Sequence, residues 1–248
     1  MFRNCSNSEE PNKAKSKWWI LLVLPAWIVI GFFMSELIVS GLVTYTPMSS
    51  LNPTLLSTMC GGLVYAITLT FIIGLPWVIK KSKTSRADVG LTRLPSWTDI
   101  LIAPAGLIVY LIISSGLMLL AVHLLPNFNI NQVQDTGFQQ LNVRYEYILA
   151  FITLVIIAPI AEEVLFRGYL YGKLKKYFPV WVAILATSLL FGALHGAWNL
   201  AIDTFALSLV LCIMRESTGN IWASILLHMA KNGIAFYFLF INSLLLIH

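Results

Sequence analysis

Residues 97–125 read WTDILIAPAGLIVYLIISSGLMLLAVHLL, a run whose one formally charged side chain, Asp99, sits near its start. A helix rises 1.5 Å per residue, and about 20 apolar residues suffice to cross the ~30 Å hydrocarbon layer of a bilayer. This run therefore reads as a transmembrane helix. Six more apolar runs bounded by charged or turn residues flank it, at about 18–43, 54–79, 146–171, 180–195, 198–214 and 221–246. The expected fold is all-α, a polytopic bundle of seven helices, with an eighth if the last run breaks at Gly233.

Composition argues the same way. Of the 248 residues 58% are apolar and 11% charged, and the mean hydropathy is +0.81. A soluble domain carries about 25% charged residues, so this chain lacks the side chains needed to cover a water-facing surface. Disorder is excluded by the 12% aromatic content and the long uncharged runs. The net charge of +5 does not point to nucleic acid, because membrane proteins retain basic residues in cytoplasmic loops. Placing the N-terminus inside puts Arg3, Lys13, Lys15, Lys17, Lys80, Lys81, Lys83, Arg86, Arg93, Lys173, Lys175, Lys176 and Arg215 on the cytoplasmic side, against Arg144 outside. Lys173, Lys175 and Lys176 would face anionic lipid headgroups.

The expected organisation is a basic cytoplasmic tail, residues 1–17, followed by one transmembrane domain, residues 18–248. Residues 80–99 form the main inner loop and 126–145, rich in Asn and Gln, the main outer one. The first run is longer than a signal-peptide core and reads as an uncleaved anchor. Cys5, Cys60 and Cys212 show neither disulfide nor zinc-ligand spacing and are expected to be free thiols.

Ionisable groups at lipid depth are costly, which makes each one a functional candidate. The set is Glu36, Glu162, Glu163, Arg167, His195, Asp203, His228 and Lys231, with Asn232 beside them. Glu162 and Glu163 are adjacent and so diverge by about 100° around a helix. Glu163 and Arg167, at i and i+4, can pair, whereas Glu162 has no partner on its own helix. Burial would then suit Glu162 to general-base work. Pro159 removes a backbone hydrogen bond just upstream, opening the helix locally. The simpler reading places both acids at the headgroups, where charge is routine. Phe191 and His195 share a face one turn apart, as do His228 and Asn232. A carboxylate, two imidazoles and an amide supply a base for water and donors for an oxyanion, the requirements of peptide hydrolysis. Two His and a Glu are also a zinc complement, although HExxH is absent, and spacing alone leaves both open. The same residues would serve a non-catalytic peptide-binding protein as a polar packing network, or a proton-coupled transporter as a relay, the latter without a visible inverted repeat.

The patterns EExxxR (Glu162, Glu163, Arg167), FxxxH (Phe191, His195) and HxxxN (His228, Asn232), in that order on successive apolar segments, resemble the CPBP family of CAAX proteases and bacteriocin-processing enzymes, also called Abi. The resemblance covers about residues 146–240. It implies an intramembrane endopeptidase, a hydrolase of membrane-associated peptides or proteins, in the bacterial plasma membrane. By motif, Glu162 with His195 would activate water, His228 and Asn232 would stabilise the oxyanion, and Glu163, Arg167 and Phe191 would support them. The family's two mechanisms are a metal-independent glutamate route, favoured here, and a metalloprotease route in which zinc would sit on Glu162, His195 and His228. The implied roles include peptide maturation and bacteriocin self-immunity. Lys231 inside the third motif is a departure: its side chain can snorkel or pair with Asp203 or Glu36, and facing the cavity it would lower the basicity of Glu162.

Overall fold

A computed structural model describes residues 17–80, 84–126, 128–130, 132, 137–138 and 141–242. Most of the basic tail, with Cys5, Arg3, Lys13 and Lys15, lies outside the described residues, as do Lys81, Lys83 and much of the 126–145 loop.

Seven helices and no strand occur among the described residues: α1 Ile20–Tyr45, α2 Pro53–Ile79, α3 Trp97–Leu124, α4 Arg144–Leu174, α5 Val180–Ala193, α6 Trp198–Thr218 and α7 Trp222–Ile241. The last helix continues through Gly233 without a break. The chain is an integral membrane protein, in which α1, α2, α3, α4 and α7 are long and apolar enough to cross a bilayer. Their outward faces carry exposed Leu22, Phe33, Leu101, Ile112 and Leu119, surface that only lipid accommodates at this density.

The two short runs behave differently from the other five. Helix α5 has 14 residues, about 21 Å of rise, which is less than the hydrocarbon thickness. Helix α6 has 21 residues but carries Asp203, Arg215 and Glu216, and it is packed between α3, α5 and α7. Asp203 and Glu216 are met by Tyr110, Ser114, Lys231, Tyr171 and Lys175, so its composition is that of a core helix. Gly192 of α5 allows the close approach of the α5–α6 pair: a Cβ there would lie 2.6 Å from the Ala201 carbonyl oxygen.

Helix α4 is the centre of the bundle. Of its apolar window 44% is buried, against 11% for α2. It is not a uniform α-helix: π-helical turns at Ile152–Ile157 and Val164–Leu170 flank the α-helical stretch Ala158–Glu163. Pro159 supplies no N–H, and the adjoining wide turn accommodates the missing bond. The anticipated local opening at Pro159 is thus a change of helical pitch.

The α2–α3 connection is tied down across the ends of α4, α6 and α7. Val89 is buried, the Ile221 amide donates to the Gly90 carbonyl over 3.0 Å, and Trp222 Nε1 donates to the Arg93 carbonyl over 2.7 Å. It reaches α4 at two glycines one turn apart, where a Cβ would meet the Val89 carbonyl oxygen at 2.9 Å from Gly168 and the Asp88 carbonyl oxygen at 2.7 Å from Gly172. The lysines expected at headgroups are engaged with protein: Lys176 pairs with Asp88 and Lys175 with Glu216, both at 2.7 Å. Cys60 and Cys212 are free thiols.

Candidate active site

The 100° step between Glu162 and Glu163 sends the two carboxylates into separate surroundings. Glu163 is fully buried, and its Oε1 accepts from Arg167 Nη1 over 2.8 Å, the i and i+4 pair expected from sequence. The same oxygen accepts from His228 Nδ1 over 2.9 Å, so Glu163 also ties α4 to α7. The Arg167 guanidinium lies 4.4 Å over the Phe191 ring. Among the described residues its Nε and Nη2 have no hydrogen-bond partner, so the ring face lies against the part of the guanidinium that Glu163 does not meet. Phe191 in turn stands edge-on to His228, with centroids 5.9 Å apart, and leans against His195 at 4.9 Å.

Glu162 faces a cavity of about 520 Å³. The absence of a partner on its own helix does not leave it alone. Tyr65 of α2 donates its hydroxyl to Oε1 over 2.5 Å, and His228 Nε2 stands 3.7 Å from Oε2. His195, Asn232 and Lys231 line the same cavity, so the three motifs from α4, α5 and α7 converge on one space. Helices α1, α2 and α6 complete its wall.

Proton positions follow from the partners. His195 Nδ1 lies 2.8 Å from the Phe191 carbonyl, which can only accept, so Nδ1 carries the proton and Nε2 of the neutral ring is a free acceptor. His228 Nδ1 likewise donates to the Glu163 carboxylate, and its Nε2 can donate only when the ring carries both protons. Asn232 Nδ2 donates to the Leu154 carbonyl over 2.9 Å, a group in the π-helical turn of α4. That bond fixes the amide plane and leaves a second N–H on the same nitrogen.

Tyr65 is the member that motif reasoning missed. In an apolar run a tyrosine resembles a lipid-facing aromatic; the available signal was Gly61 one turn earlier, which lines the cavity with it. Lys231 is paired with Asp203, with Nζ 3.3 Å from Oδ2. Glu36, the other partner considered, lines the cavity from α1 and makes no ion pair among the described residues.

The zinc arrangement can be tested on its donors. Among the described residues no three His, Cys, Asp or Glu side chains converge closely enough to hold one ion, Glu162, His195 and His228 included.

Residues 144–234, which contain all three motifs and span α4 to α7 up to Ile234, match the family model described as type II CAAX prenyl endopeptidase Rce1-like. That stretch, a little over a third of the chain, is similar to the CAAX prenyl endopeptidases. Over 98 residues it is 31% identical to an uncharacterized 24.3 kDa protein of Escherichia coli, an alignment covering 38% of this chain and 45% of that one. The chain thus matches less than half the length of this curated relative. No solved structure matches it significantly. Relative to the CAAX protease model, Tyr65, Glu36 and the whole of α1 to α3 lie outside the matched segment.

Proposed function

We propose that the chain is an intramembrane endopeptidase that hydrolyses a peptide bond in a membrane-associated peptide or protein by a glutamate-type mechanism. The observation that carries this reading is the placement of Glu162: a carboxylate at the wall of a cavity inside the bundle, with Tyr65 on one oxygen and the other open toward His228. Oε2 takes the proton of the attacking water, assisted by the free Nε2 of His195, as the water oxygen adds to the carbonyl carbon. The second N–H of Asn232, and His228 in its doubly protonated form, stabilise the resulting oxyanion. The proton then passes to the leaving amine as the C–N bond breaks. Glu163, Arg167 and Phe191 hold the two histidines in place. No metal enters this scheme. The setting is the bacterial plasma membrane with the N-terminus inside, and the role is peptide maturation or self-immunity to bacteriocins.

The test is a mass-spectrometric cleavage assay with purified wild type and Glu162→Gln, offered a mixed library of membrane-anchored and hydrophobic peptides, with and without chelator. Cleavage by the wild type alone, indifferent to chelator, is the expected result. Equal cleavage by both proteins removes the base role of Glu162, and loss on chelation transfers the chemistry to a metal. Absence of any cleavage would favour a peptide-binding or immunity protein.

A further inference from the structure

Lys231 is the one lysine or arginine among the described residues that line the cavity, and three side chains hold it there. Asp203 of α6 accepts from Tyr110 over 2.7 Å and from Ser114 over 2.6 Å, both on Oδ1, and both donors belong to α3. That leaves Oδ2 for the ammonium, at 3.3 Å. Two hydroxyls from one helix thus fix a carboxylate on a second, which fixes an ammonium on a third. An ammonium has three N–H groups, and one acceptor at this distance leaves at least two of them undirected. The side chain is 20% exposed and lines the cavity that Glu162, His195 and His228 share. Lys231 is three residues beyond His228 on α7, close to the reacting centre but not part of it. A lysine needed only to neutralise Asp203 has no reason to line that cavity.

We propose that Lys231 recognises a carboxylate of the substrate, either the peptide's terminal carboxylate or an acidic side chain near the scissile bond. This rests on the endopeptidase reading, and it makes Lys231 a substrate-binding and specificity residue. The ammonium donates to the incoming carboxylate while Asp203 keeps it extended into the cavity. Charge-assisted hydrogen bonds of this kind are worth about one order of magnitude in affinity or more.

The experiment measures equilibrium binding to the full-length protein in nanodiscs, in the Glu162→Gln background, with one palmitoylated hydrophobic decapeptide in three forms: free terminal carboxylate, terminal amide, and terminal amide with a Gln→Glu change near that end. Lys231→Met and the double variant Lys231→Met with Asp203→Asn are compared with the parent. The double variant removes the pair as a unit, so no buried acid is left unmatched if the single variant folds poorly. The expected result is that one carboxylate form binds the parent about 10-fold more tightly than the amide and that the preference disappears in both Lys231 variants, with amide affinity unchanged. Which carboxylate is preferred identifies its source. A preference that survives in the variants, equal weakening of acid and amide forms, or no binding of any form overturns the proposal. Cleavage of the same peptides by the protein with Glu162 intact is followed in parallel. Lys231-dependent preference without cleavage sinks the endopeptidase reading alone, and cleavage without the preference sinks the carboxylate site alone.

Discussion

His228 and Glu163 are bonded over 2.9 Å, so the second acid of the EE pair, the one turned away from the cavity, is the one that orients the histidine. Glu163 therefore has two dependents, Arg167 on its own helix and His228 on α7. Removing it strands a buried guanidinium. Glu163→Ala is expected to lower stability by about 3–5 kcal/mol, as removal of one partner from a buried pair does. A denaturation series in detergent that shows no loss would contradict this, and the loss should exceed that of Glu162→Ala.

Glu162→Ala and His195→Ala are expected to abolish cleavage, by about 10²-fold or more, while still yielding folded, membrane-inserted protein. The check is turnover alongside a thermal melt of the same preparations. Wild-type turnover in either variant refutes its assigned role.

Tyr65→Phe removes one oxygen atom and with it the bond to Glu162 Oε1. Cavity shape and packing stay the same, so the melt should be unchanged while kcat falls about 10-fold. A variant with full kcat would reduce Tyr65 to a wall residue.

Gly172→Leu places a side chain where the Asp88 carbonyl now lies at Cβ distance 2.7 Å. The loop must lift, with an expected cost of about 1–3 kcal/mol. Limited proteolysis between residues 84 and 95 should become faster; an unchanged cleavage rate would show that the loop does not depend on the glycine.

The Lys176 ammonium, and after it the Ser85 amide and hydroxyl, hold the Asp88 carboxyl well below the usual aspartate range. A lowered folded-state value contributes stability above an ordinary Asp pKa near ~4, and that contribution is lost as pH falls through the lower value. Both side chains are largely solvated, so the effect is about 0.5 kcal/mol. Asp88→Asn should therefore flatten the stability profile below about pH 4 and leave the rest of its shape unchanged. An acid limb identical in wild type and variant would contradict the assignment.

How far the sequence could be read depended on which physical constraint was at work. The hydrocarbon demands long apolar runs, so α1, α2, α3, α4 and α7 are legible from length alone. Depth is not encoded that way, and α5 and α6 read as spans although one is short and the other is shielded by protein. Periodicity finds partners on one helix, which is why Glu163 with Arg167 was visible. It cannot find partners across helices, and so Tyr65 on Glu162, Glu163 on His228, and Tyr110 and Ser114 on Asp203 needed the fold. The zinc complement of Glu162, His195 and His228 was suggested by residue type and by the family resemblance; the fold brings these three side chains to one cavity.

The two wide turns in α4 bear on how this helix tolerates insertions and deletions. Each carries a residue beyond what regular winding needs, one upstream of Glu162 and one around Arg167. Loss of a single residue within either turn would let the helix rewind to ordinary pitch, rotating one flank by about 100° against the other. In the first turn that rotation would break the Leu154–Asn232 bond, and in the second it would carry Arg167 off the Phe191 ring. Helix α4 is thus phased to its neighbours by its surplus residues, and its length is under tighter constraint than its composition.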